Sequence, residues 1–215
     1  MRYVSTILAG CLKRSAASSR WWPIRGEEPV ASAVAERFAR IVYVAGMMLP
    51  SGVTFAEVQS EIDGSISSPS GVTGELSWSA DGKVSTVPRA AATAILFSDC
   101  PPDMAAMAAL KLTPQGEGGR ALRVTTPPER FGRIPRLYVE ATEDRSVLID
   151  VQRRMQQLVP GATVISLPTG HVPQLIAPKL LAEAILPFLL KKEPRGSGDG
   201  PSQNQPTPIP DGAFR

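Results

Sequence analysis

His171 is the single histidine in this chain of 215 residues, and so the side chain best suited to exchange a proton near neutral pH. It stands in "LPTGHVPQL", just beyond "ATVIS", which reads as a β-strand. Asp144 stands in "EATEDRS", just beyond a second such run, "RLYVEA". Open α/β sheets carry their working groups in the loops at the carboxyl ends of their strands. A carboxylate there holds an imidazole in one tautomer, and the imidazole takes the proton of a nucleophile. Each residue also has a plainer role open to it. Asp144 would serve equally as a cap for a helix starting near Val147, and a lone histidine is often just a hydrogen-bonded surface residue. Glu140, inside the strand, and Glu143, one step before the centre of the loop, are weaker candidates for the acid.

The elements that must position this pair are legible by periodicity. "RIVYVAG" holds an apolar run at residues 41–45 with no polar face, as expected of a parallel strand covered on both sides. A helix is expected before it, over residues 31–38. Strand, helix, strand, helix then follow over residues 135–190: "PRLYVEAT", "SVLIDVQRRMQQLV", "ATVISLPTGH" and "PQLIAPKLLAEAILPFLL". That rhythm implies parallel strands joined by crossover helices. Residues 52–128 differ in texture. "TFAEVQSEI" predicts a short helix, "GELSWSADGKVSTV" a hairpin turning at Asp81-Gly82, and "CPPDMAAMAALKL" a helix with proline in its first turn. "TPQGEGGR" reads as loop. This middle segment reads as an insertion lying on the sheet.

Composition narrows the function classes. The apolar fraction of 43% and a net charge of +3 fit a globular domain with a real core. Arg2, Lys13, Arg14, Arg20 and Arg25 precede the first acid, Glu27, but no basic run interleaved with aromatics follows, so nucleic-acid binding is not expected. Cys11 and Cys100 suggest neither a disulfide framework nor, with one histidine, a metal site. No membrane span and no cofactor are expected, and the chain reads as cytoplasmic. The alternative is a lipoprotein anchored through Cys11, because "LAGC" has the form of a lipoprotein cleavage box behind a short apolar stretch. Residues 191–215, rich in Gly, Ser, Pro and Gln, read as a disordered tail.

Three blocks carry a family resemblance: "RIVYVAGMMLPSG", "RLYVEATEDRSVLIDVQRRM" and "LPTGHVPQLIAPKLLAEAI". They resemble the methylesterase and hydroxynitrile-lyase branch of the plant α/β-hydrolases, and more closely the bacterial esterases related to it. The matching features are Thr142 and Asp144 after a strand, Val151-Gln152 in a helix, and Gly170-His171 before the last helix. The resemblance covers residues 29–190. It implies the C-terminal part of an α/β-hydrolase fold, with a cap over about residues 52–128. It assigns Asp144 as triad acid and His171 as triad histidine, in the Ser…Asp…His order of that fold. It further implies a small-molecule ester as substrate and an acyl-enzyme intermediate. Two other functions stay open: lyase chemistry with the same acid–base pair, and a non-catalytic binding protein. Cap residues such as Trp78, Met104 and Met107 indicate an apolar lining and no more.

The front of the chain departs from the family. A G-x-S-x-G elbow should precede the helix at Ala31, but residues 1–28 are basic and aberrant, and "WWPIRGEE" holds the place of the nucleophile. Tryptophan has a single codon, so Trp21-Trp22-Pro23 read from third codon positions gives Val-Ala. Permitted wobble bases continue it as His-Ser-Arg-Gly-Gly, a nucleophile elbow where the family has one. The expectation is a reading-frame shift across the catalytic serine, hence an inactive chain. With the strand leading into the elbow lost, the strand at residues 41–45 would expose an edge, and self-association through that edge is expected.

Overall fold

The computed structural model describes residues 39–64, 69–119, 121–126 and 128–191. The expected helix at 31–38, the N-terminal segment and the tail beyond residue 191 lie outside these residues.

Three parallel strands form the main sheet: β1 (Ile41–Val44), β5 (Arg136–Ala141) and β6 (Ala162–Leu167), with β5 in the centre. Side chains alternate between faces along a strand. Ile41, Tyr43 and Tyr138 therefore join one core, with Val151 and Met155 of the helix α5 (Ile149–Leu158). Val42, Val44, Leu137 and Val139 join the other, with Leu181 and Ile185 of α7 (Pro178–Leu190). A sheet covered on both faces explains why β1 and β5 are buried at every position. β6, at the side of the sheet, is largely exposed, with Val164 at 44%.

The polypeptide between β1 and β5 divides between two cores. Its first helix, α1 (Phe55–Asp63), opens on a capping box: Thr54 and Glu57 exchange side-chain and backbone bonds of 2.8 and 3.3 Å. It buries Phe55 and Val58 in the main core, against α5, and so differs from the expected insertion. Residues 72–112 build a separate apolar cluster together with Val172 and Leu175, while Phe131 returns to the main core. The strands β2 (Ser77–Trp78), β3 (Val84–Thr86) and β4 (Gln115–Gly116) form a small antiparallel sheet. The hairpin turns at Asp81-Gly82 as expected, with Gly82 at φ +67°. β4 falls in the stretch expected to be loop; two residues with no apolar alternation carry no strand signal. Between β3 and β4, α2 (Arg89–Ala91) runs into a π-helical turn at Ala92–Leu96, and α3 (Pro102–Ala109) follows, with proline at its first position. α4 (Pro128–Phe131) leads back to β5.

The expected last helix is two. α6 (Pro173–Ile176) stops at Ala177, held at φ −135° and ψ 50°, and α7 starts at Pro178. A proline disfavours helical geometry in the residue before it, and this breaks the run.

Candidate active site

Asp144 and His171 meet. Asp144 Oδ2 lies 2.8 Å from His171 Nδ1, and both side chains are almost fully buried, at 0% and 4% exposure. With the carboxylate ionised, Nδ1 carries the shared proton and Nε2 is the basic nitrogen. The other oxygen, Oδ1, accepts from the amides of Ser146 (2.6 Å) and Val147 (3.0 Å). One oxygen thus faces the histidine and the other binds the backbone of its own turn. Asp144 does not cap α5, however, since the helix begins at Ile149 and Asp144 tightens the turn ahead of it.

Adjacent parallel strands bring the two loops together. Beyond the last register pair, Ala141 with Leu167, the loops stay joined: Thr142 N donates to Leu167 O and Glu143 N to Thr169 O, each at 3.0 Å. Gln152 fixes the acid's loop from below. Fully buried, it accepts from Ala141 N at 3.1 Å and donates to Ala141 O at 3.0 Å and Val147 O at 2.7 Å. On the sequence, Gln152 shows as a polar residue between Val151 and Met155 on the buried face of an amphipathic helix.

The weaker candidates fall outside the pair. Glu143 is exposed. Glu140 is buried in β5 and accepts from Ser166 Oγ (2.7 Å), Gln156 Nε2 (3.0 Å) and Arg153 Nε (3.3 Å). Burial alone would raise its pKa, but these hydrogen bonds outweigh it and the net shift is downward. It is an ionised tie between β5 and β6. Cys100 makes a poor nucleophile: burial, then the charge of Asp99, pushes its thiol up to about 11. Trp78, Met104 and Met107 stand at the surface, 50%, 39% and 61% exposed.

One residue near the pair went unmarked on the sequence. Asp99, from the turn after the π-helical segment, accepts a short hydrogen bond from the amide of Gly170, next to His171. Its partner is a backbone group 71 residues away, and such a contact leaves no pattern to read.

A parallel sheet with helices on both faces recurs among solved structures. A pyrethroid hydrolase from Sphingobium faniae JZ-2 superposes with a TM-score of 0.62 at 23% identity, covering 76% of this chain and 67% of that one. This is the α/β-hydrolase fold. Polyneuridine aldehyde esterase shares the fold at a TM-score of 0.62 and 16% identity, over 75% of this chain and 66% of its own. A methylesterase from Arabidopsis shares it at 0.61 and 14%, over 76% and 64%. In sequence, a pyrethroid hydrolase of Sphingobium wenxiniae is 46% identical over 77 residues, 35% of this chain. That match spans about a quarter of the relative, 24% of its length. No family model matches the chain. Among the described residues, no helix of this α/β-hydrolase fold is long and apolar enough to cross a membrane.

Proposed function

We propose that this polypeptide carries the acid–base half of a serine-dependent carboxylic-ester hydrolase, and that as it stands it lacks the nucleophile. The buried Asp144–His171 pair at 2.8 Å is the observation that carries this reading. The identity to a pyrethroid hydrolase and the fold shared with methylesterases support an ester as the substrate class. With a serine supplied, its hydroxyl proton passes to His171 Nε2 as the oxygen bonds to the ester carbonyl carbon. Asp144 holds Nδ1–H and stabilises the imidazolium. The same proton then leaves with the departing alkoxide. Water repeats the sequence on the acyl-enzyme and releases the carboxylic acid. The residues from 72 to 112, with their own apolar cluster, are proposed as a cap over the reacting groups.

Alone, the pair has no atom to attack a carbonyl. The chain as written is therefore expected to hydrolyse p-nitrophenyl acetate no faster than its His171→Ala variant. Sequencing the DNA that encodes residues 20–29 tests the frame shift, and the form restored to Val-Ala-His-Ser-Arg-Gly-Gly should turn over esters. Codons that spell neither His nor Ser in the shifted frame would defeat that part of the proposal. A restored chain that cleaves cyanohydrins and not esters would turn the reading to lyase chemistry. A cytoplasmic location is part of the same proposal. Self-association through β1 is a separate proposal. The strand is apolar and uncharged, but burial of all four residues weighs against it. Sedimentation over a range of concentrations decides it, and a monomer throughout would remove it.

A further inference from the structure

His171 is bracketed by contacts from the middle segment. On its N-terminal side, Gly170 gives its amide to Asp99 and lies so close that a Cβ would meet the carboxylate at 2.7 Å. On its C-terminal side, Val172 is buried with Ala92, Leu96, Phe97 and Ala105, and Leu175 packs against the same cluster. The acid's loop meets the middle segment as well. Gly71, at φ +62°, sits against Ser146, where a Cβ would stand 2.1 Å from the carbonyl oxygen. Ser70, just before Gly71, is tied to α1: its O accepts from Gln59 at 2.7 Å and its N donates to Asp63 at 2.7 Å. Asp99 follows a π-helical turn, a deviation that often re-aims residues at working sites. Its second oxygen, Oδ1, is buried and accepts no hydrogen bond among the described residues, and neither does Thr169 Oγ1 beside Gly170. An unpartnered buried carboxylate oxygen costs stability.

We propose that Asp99 is a positioning residue for His171, and that through it and Gly71 the middle segment sets the geometry of the Asp144–His171 pair. The inference rests on the reading of those two residues as the acid–base pair. Asp99 touches no reacting atom. It fixes the peptide that precedes His171, while Val172 fixes the one that follows, so the imidazole meets Asp144 only when the middle segment is seated.

The sole histidine makes this measurable in the full chain without turnover. Its Nδ1–H proton, shared with Asp144, gives one downfield resonance in ¹⁵N-edited NMR. Asp144→Asn should abolish the resonance. If it does not, the pair itself is wrong. Asp99→Ala should weaken or remove it and speed its exchange with water about tenfold, as expected for losing one hydrogen bond to a charged acceptor. Asp99→Asn keeps an acceptor for Gly170 N and should restore the wild-type signal, and Asp99→Glu should shift it. Asp103→Ala, an exposed acid in the same segment, should leave it unchanged. Loss in Asp144→Asn with no change in Asp99→Ala would overturn the inference alone, even if Asp99→Ala melts earlier. If Asp99→Ala does not fold, an unmoved resonance in Asp99→Glu overturns it instead.

Discussion

The loops that carry Asp144 and His171 begin at neighbouring strand ends but are held in opposite ways. Asp144 is held chiefly by its own vicinity: two amides two and three residues on, and a loop that Gln152 ties at Ala141 and Val147, with Gly71 of the middle segment packed against Ser146. His171 is held from a distance, by Asp99 and by the apolar cluster of the middle segment. A locally held acid forms its geometry whenever β5 and α5 pack. A histidine held by a remote segment has correct geometry only when that segment is in place. The acid is thus the fixed member of the pair and the histidine the conditional one.

The largest effects that sharpen this contrast are on turnover, in the chain with its serine restored. His171→Ala should lower it roughly a millionfold and Asp144→Ala about ten-thousandfold, while Glu143→Gln leaves it unchanged, as steady-state kinetics would show. Comparable losses from Glu143→Gln would break the assignment of the acid. Next in size, Gln152→Ala removes three buried hydrogen bonds to the backbone of Ala141 and Val147. It should cost about 2–4 kcal/mol by denaturant unfolding. Amide exchange should rise first around residues 144–147 and not around 169–172; a uniform rise would remove the distinction between the loops.

Glu140 ties β5 to β6 and so serves both loops. Its folded pKa lies below its ordinary value of 4.5, opposed by burial but lowered by Ser166, Gln156 and Arg153. A depressed carboxylate contributes stability above the unfolded pKa and loses it as pH falls through the folded one. Glu140→Gln should therefore be less stable than wild type at pH 7, and the gap should close as pH drops below 4.5. Thermal melts across that range check it. The smallest effect is expected at β1, the strand end with no proposed chemistry. Ala45 holds φ +45° there, and Ala45→Gly should stabilise the fold by up to about 1 kcal/mol. A loss of stability would show that the methyl group's packing outweighs the strain.

The same contrast explains what the sequence disclosed. The strand at 41–45 was legible because burial on both faces leaves an unbroken apolar run, those at 135–142 and 162–167 through the strand–helix alternation, and Asp144 and His171 because strand ends are where such groups stand. The hairpin at Asp81-Gly82 follows from local turn chemistry. By contrast, Asp99 and Gly71 act through backbone groups far along the chain, and β4 is too short to carry a pattern. The break at Ala177 was present in the sequence as Pro178, but the apolar run on either side masked it. What is encoded by neighbours could be read; what is encoded by packing could not.

The interruption at Ala177 also divides the molecule in time. Val172 and Leu175 lie with the middle cluster, whereas Leu181 and Ile185 lie under the main sheet. Proteins open in cooperative units defined by shared packing. The boundary between two such units therefore crosses the last twenty described residues at one peptide. Residues 172–176 should exchange their amides at the same opening free energy as residues 92–109, and not with the helix that directly continues them. The segment bearing the histidine would then leave and return with a region some eighty residues earlier in the chain.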